Sequence, residues 1–149
     1  MIKSIYVAAK HGDPLTSVKQ IELIAGKGIV GDRNFAQSEW PGQNLTLIER
    51  EQVDAFNQNH QRSIDESDPR RTVVTQNVDL NSLVGKEFAI GSVRLLGVEL
   101  CEPCKGIGEQ LATDTMTGPE VVKAFVHKAG LRTDVLCDGV IEVGMSVDA

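Results

Sequence analysis

Aromatic residues are scarce in this chain of 149 residues, which has one Trp, one Tyr and four Phe. Its core must therefore be mostly Val, Ile, Leu and Ala. A length near 150 suits a single domain spanning 1–149, and a chain of that size buries roughly 70% of its unfolded surface without covalent staples. Cysteine is scarce too. Three cysteines do not make a secreted disulfide framework and fit a reducing cytoplasm. Long hydrophobic runs are missing: the longest covers residues 5–9, far short of a membrane span. The start, Met1-Ile2-Lys3-Ser4, offers neither an apolar signal region nor a cleavage site. A cytoplasmic protein with no membrane partner is the expectation. Positive charge is in deficit, with 15 Lys+Arg against 21 Asp+Glu and a net charge of −6. That argues against nucleic acid as a partner, which calls for a basic footprint, but leaves room for a small local anion site. An apolar share of 41% is too high for a disordered chain.

Strand signals dominate what is present. Residues 2–9, 18–24 and 45–48 carry β-branched, apolar runs. Residues 86–90 and 93–100 flank Gly91-Ser92, which reads as a tight hairpin. Residues 131–137 and 140–143 flank Asp138-Gly139, a second hairpin signal, because both turn residues tolerate positive φ. Two segments read as helices. In 49–59, Val53 and Phe56 share a face, and Thr46 with Glu49 has capping-box spacing. The other starts at Thr117-Gly118-Pro119-Glu120 and places Val122, Phe125, Val126 and Ala129 in one stripe, with Gly130 as its stop. The polar stretch 58–71 reads as a long surface loop. Many short strands, frequent glycine and short helices predict a mostly-β fold, a closed β-barrel with a few short peripheral α-helices.

The chemistry concentrates in Leu100-Cys101-Glu102-Pro103-Cys104-Lys105-Gly106. A thioredoxin-like exchange site needs a helix directly after the cysteines. Gly106 and Gly108 interrupt any strong helical pattern there, and only about 45 residues follow. A zinc site needs a second close pair of ligands, whereas Cys137, His11, His60 and His127 are scattered. Cys137, inside the predicted strand 131–137, reads as a small buried hydrophobe. Cys101 and Cys104, beside Lys105 and amid Pro and Gly, suit a thiolate that binds a soft metal or carries sulfur. Arg70-Arg71 offers paired guanidinium groups of the kind that grip phosphate or carboxylate, although taken alone the pair reads first as a solvated surface pair. Gly28-Ile29-Val30-Gly31-Asp32-Arg33 lacks the spacing of a phosphate-binding loop and reads as a tight turn. His127 and Arg132 bracket a helix end, where a cation is favoured by the helix dipole.

Taken in order, these segments resemble the small stand-alone MOSC domains, relatives of the C-terminal domain of molybdenum cofactor sulfurase. Gly28-Ile29-Val30-Gly31-Asp32-Arg33, Leu45-Thr46-Leu47-Ile48-Glu49, Arg70-Arg71-Thr72-Val73-Val74-Thr75, Leu100-Cys101-Glu102-Pro103-Cys104, His127-Lys128-Ala129-Gly130-Leu131-Arg132 and Ile141-Glu142-Val143-Gly144 each match a family segment. The resemblance covers about 18–147. It implies a MOSC-type barrel whose Cys104, the cysteine after proline, ligates molybdenum of a pterin cofactor, with Cys101 as a second thiol. Arg70 and Arg71 would take the cofactor's phosphate. Arg33, Asp32, Lys105, His127 and Arg132 would complete the cofactor-binding set. The implied activity is reduction of small N-oxygenated substrates, with electrons from a separate electron-transfer protein. The alternative is a persulfide carrier loaded by a pyridoxal-phosphate-dependent cysteine desulfurase. A non-catalytic cofactor-binding module is the third reading, encouraged by Asn34 and Met145, where relatives carry His and Asp.

Overall fold

The computed structural model describes residues 1–37 and 39–149. In chain order the elements are β1 (Ile2–Val7), β2 (Thr16–Val18), β3 (Gln20–Ile24), β4 (Gly28–Ile29), β5 (Leu45–Glu49), α1 (Arg50–His60) and β6 (Val73–Thr75). After a 3-10 turn at Leu80–Leu83 come β7 (Glu87–Ile90), β8 (Val93–Leu100), α2 (Lys105–Leu111), α3 (Gly118–Ala124), β9 (Leu131–Val135), β10 (Gly139–Glu142) and β11 (Val147–Asp148). No helix among the described residues is long and apolar enough to cross a membrane.

The mostly-β character is as expected, but the barrel does not close. An eight-stranded sheet in the order β11-β7-β8-β9-β5-β6-β1-β2 curls through 251° and stops as an open half-barrel. The reason lies at two places where the chain changes sheet. The expected strand 18–24 divides at Lys19: β2 pairs with β1, whereas β3 pairs with β4 and β10 in a separate three-stranded sheet. The Asp138-Gly139 segment does not join a hairpin either. It carries the chain from β9 in the large sheet to β10 in the small one, and Asp138 accepts a hydrogen bond from the Ala25 amide beyond β3 at 2.8 Å. Ile21, Leu23, Ile29 and Ile141 of the small sheet then share one buried cluster with Ile2, Leu45, Leu47 and Leu95 of the large one. The core is sealed by a second layer rather than by the first curling onto itself.

The Gly91-Ser92 hairpin forms as read, with Ile90 opposite Val93 across a two-residue turn. Cys137 falls outside β9, half-buried in the following turn. There its sulfur accepts from the Arg94 amide at 3.2 Å and donates to the Ser92 carbonyl at 3.4 Å. It is a hydrogen-bonded turn residue as much as a hydrophobe.

The helices sort differently from their sequence signals. In α1, Val53 and Phe56 are buried as expected. Thr46 does not cap it; it lies in β5, and its hydroxyl accepts from the Thr72 amide at 3.2 Å. In α3 the Thr117–Glu120 capping box is present in both directions. The helix ends at Ala124, so the stripe 122/125/126/129 does not hold. The chain bends through His127 at φ 61°, and Val121, Phe125 and Ala129 are buried while Val126 is exposed. α2 was not expected at all, because glycine disfavours helix. Packing overrides that propensity: a Cβ on Gly108 would lie 2.8 Å from the Gly118 carbonyl oxygen of α3. Only glycine allows the two helices to approach this closely. Ile107, Leu111, Val121, Phe125 and Phe56 then form a second small core.

β5 and β6 are parallel, so α1 and residues 61–72 serve as their crossover. The stretch read as a surface loop is thus a helix end followed by a packed return segment, in which Pro69 is buried. Glu66 anchors it. Its carboxylate accepts from Lys3 Nζ at 2.9 Å, Ser4 Oγ at 3.0 Å and Tyr6 Oη at 2.8 Å. Burial pushes the Glu66 pKa up, but the bonds from Lys3, Tyr6 and Ser4 more than offset this and hold it below the usual glutamate value. Because the folded-state pKa is depressed, the contribution is full above the ordinary glutamate range and is lost as pH falls through the folded value. Glu66→Gln is expected to cost about 1–2 kcal/mol at neutral pH. Wild type and variant should converge as pH drops below that range, a trend checked by urea unfolding at stepped pH.

Candidate functional site

The strand β8 delivers the cysteine segment to the helical end of the molecule. Cys101 continues from the strand, with its amide donating to the Gly130 carbonyl at 2.8 Å, and is 2% exposed. Burial pushes its thiol pKa up, with Arg71 and Arg132 pulling the other way. Three residues on, Cys104 is exposed and occupies the N-cap position of α2 in extended geometry. No hydrogen bond to the sulfur closes the cap, but the nearby backbone amides of Ile107, the largest effect, and Gly106 favour the charged form over the opposing burial, Arg71 adds positive potential, and the thiol pKa falls below its ordinary value. Gly106 lies beside the sulfur, since a Cβ there would sit 3.4 Å from it, at ordinary contact distance. The two cysteines are therefore unequal. Burial disfavours the charged form at Cys101, while amide donors favour it at Cys104.

Arg71 is the cation brought to both sulfurs. It is aimed by its Nε, which donates to the Ala129 carbonyl at 2.9 Å. Arg132, on β9, acts on Cys101 and lies 3.8 Å from Glu99. Lys105 follows Cys104 directly and projects into solvent, its side chain 91% exposed and 3.7 Å from Glu109. His127 meets the cysteine segment through Glu102, which accepts from the His127 amide at 2.9 Å and approaches its Nδ1 at 3.2 Å.

Arg70, Arg33 and Asp32 are engaged elsewhere. Arg70 takes a left-handed φ of 60°, which separates it from Arg71, and its guanidinium donates to the Asp13 carbonyl at 2.8 Å. Its own carbonyl accepts from Arg33 at 3.2 Å. Arg33 in turn forms an ion pair with Asp32 at 3.0 Å, their side chains 7% and 2% exposed. Asp32 also accepts from the Ala8 and Asn34 amides. This network joins the end of β1 to the crossover segment.

The sequence reading missed Glu102 and the Gly106 and Ile107 amides. The adjacency of Glu102 to Cys101 was visible, but its partner His127 lies 25 positions away. Amide donors have no side-chain signature at all.

The donor chemistry at Cys104 is that of a single soft sulfur ligand whose charged form is favoured. No group of three His, Cys, Asp or Glu side chains among the described residues is placed to hold a metal ion. A metal at Cys104 would thus keep its other ligands from its own organic cofactor. The residues present fit such a group: one exposed cysteine sulfur for the metal, with Arg71, Arg132 and Lys105 as cations in the same region for anionic parts of the cofactor.

Comparison with known proteins agrees with this fold. The sequence profile of the MOSC domain family matches residues 30–148. Among solved structures, the YuaD protein from Bacillus subtilis superposes with a TM-score of 0.84 at 16% identity, over 98% of this chain and 92% of that one. YiiM from Geobacillus stearothermophilus gives 0.71 at 15% identity, over 99% of this chain and 73% of that one. YiiM from Escherichia coli gives 0.66 at 12% identity, over 99% and 69%. At such identities the likeness to these structures is one of fold. No curated protein matches the sequence. The family is one associated with the molybdenum cofactor, and by the extent of the profile match this chain belongs to the MOSC domain family.

Proposed function

We propose that the Cys104 thiolate is the protein ligand to the molybdenum of a bound pterin cofactor, in a component that reduces small N-oxygenated substrates with electrons from a partner protein. The observation that carries this reading is the state of Cys104: an exposed sulfur at the N-cap of α2, in surroundings that favour its charged form. When bound, the cofactor supplies the two-electron chemistry at its metal. The chain's own residues bind and orient it. Cys104 presents a sulfur whose charged form its surroundings favour. Arg71 balances that charge, and Arg132 and Lys105 add potential for the cofactor's phosphate. Buried Cys101 stays a thiol and keeps water from the base of the segment.

The test is metal content. Protein purified from a cofactor-producing host should carry stoichiometric molybdenum and release a fluorescent oxidised pterin, and Cys104→Ala should lower both to background. Wild-type protein with neither, under assured cofactor supply, overturns the proposal. Cofactor retained without turnover leaves a binding module.

The exposure of Cys104 favours a second reading, sulfur carriage. The thiolate would attack the terminal sulfur of a partner desulfurase's cysteine persulfide. A Cys104 S–S bond forms as the partner's S–S bond breaks, and the partner's thiolate leaves. Mass spectrometry after incubation with a desulfurase must then show one sulfur gained on Cys104.

A further inference from the structure

A cleft of about 400 Å³ lies between α1 and α3, within the size range of small-molecule sites. Its α1 wall is formed by Gln52, Ala55, Phe56 and Asn59, which share one face by helical spacing. Glu120, Lys123 and Ala124 of α3 form the facing wall. Ala55 and Ala124 put single methyl groups where the two helices face each other, and that leaves the space open. The floor is apolar and fixed. Phe56 is 4% exposed and Met116 6%, and the Phe56 ring stacks on Phe125 with 4.7 Å between centroids. Asn59, His60, Met116 and Glu120 also border a neighbouring recess of about 330 Å³, so the cleft lies open at that end. Lys123 and Lys128 border the first space and not the second, so these cations stand away from the open end.

The charges around the cleft do not balance. Glu120 is committed to the capping box, where its Oε1 accepts from the Thr117 amide at 3.1 Å and from the Thr117 hydroxyl at 2.9 Å. The Lys123 and Lys128 ammonium groups have no partner among the described residues. The dipole of α3 accounts for a cation at Lys123, in its last turn, but not for Lys128, which lies beyond the helix. Two free cations thus overlook an apolar floor, in a protein whose net charge is −6. We propose that this cleft binds a small carboxylate with an apolar body. The body lies against Phe56, Met116 and the two alanines, and the carboxylate meets Lys123 and Lys128. A cationic ligand would face both ammonium groups and gain little from Glu120, whose carboxylate is already bonded. None of the lining residues belongs to the cysteine segment, so the site is separate from whatever Cys104 carries.

The probe is naphthoate, titrated into the ¹⁵N-labelled full chain, with neutral naphthamide for comparison. The amide resonances of Ala55, Asn59, Lys123 and Ala124 should shift saturably while those of residues 101–105 stay in place. Naphthamide should bind about tenfold more weakly, the worth of two exposed charge contacts. The double variant Lys123→Gln with Lys128→Gln should lose the same factor for naphthoate and leave naphthamide unaffected. Both lysines are exposed, so the variant should fold, with an unchanged melting temperature as the check. Cys104→Ala should bind naphthoate as the wild type does. Equal affinity for the two ligands, or for naphthoate in the double variant and the wild type, leaves an apolar recess with no anion site and overturns the proposal. Cleft resonances that do not move, or shifts centred on residues 101–105 and lost in Cys104→Ala, overturn it as well.

Discussion

Gly130→Ala should destabilise the protein by roughly 3–5 kcal/mol, the range reserved for changes the surrounding structure cannot absorb. Gly130 has φ of +109°, and a Cβ there would lie 2.1 Å from the Leu47 carbonyl oxygen and 3.1 Å from its carbon. Those are backbone atoms of β5, a central strand that pairs with β9 on one side and β6 on the other, so no flexible side chain can yield. Leu131, the next residue, pairs with Leu47 itself, and relief of the clash must open that pairing. The damage reaches the site. The Gly130 carbonyl accepts from the Cys101 amide, and the preceding Ala129 carbonyl aims Arg71. Gly12→Ala is the control. It has a similar positive φ of +85° but nothing within 4 Å of its Cβ, so it carries only the left-handed backbone cost of about 1–2 kcal/mol. Denaturant unfolding of the two variants decides the matter, and equal losses would remove the steric argument.

Asp32→Ala is the second large effect expected, a loss of about 3–5 kcal/mol from breaking a buried ion pair on one side only. The substitution strands the Arg33 guanidinium in a site where its side chain is 7% exposed. It also leaves the Ala8 and Asn34 amides without their acceptor. Asp32→Asn should cost less, since one carbonyl oxygen remains to accept. Replacing both partners, Asp32→Ala with Arg33→Met, should recover part of the loss, because the unpaired buried charge is then gone. Urea unfolding orders the three variants. The result also bears on the role expected of Asp32 from the family resemblance. A variant as stable as wild type but weaker in cofactor retention would place Asp32 at the cofactor, whereas a destabilised one marks it as the joint between β1 and the crossover segment.

The features legible in the sequence were those whose determinants lie within a few residues. The Gly91-Ser92 turn sets its own register, Ile90 against Val93. The Thr117–Glu120 box closes over three residues. Val53 and Phe56 follow from helical spacing alone. The features that escaped depend on a distant partner. Asp138-Gly139 has hairpin chemistry, but β10 finds β3 rather than β9. The glycines at 106 and 108 argued against a helix, and contact with Gly118 makes the second of them a requirement for one. Arg70 and Arg71, adjacent in the chain, point to separate carbonyls because Arg70 turns through positive φ.

The sequence by itself determined a mostly-β aliphatic fold, membership of a family through ordered short motifs, and the cysteine segment as the place where chemistry concentrates. Only the tertiary structure decided that the large sheet stays open beneath a second layer, and that Cys104 and Cys101 differ in kind. The physical reason is the same in both cases. Sheet closure and thiol acidity are set by what approaches a residue in space, here the side chains of a second sheet and two backbone amides, and backbone groups are common to every residue and leave no mark in the sequence.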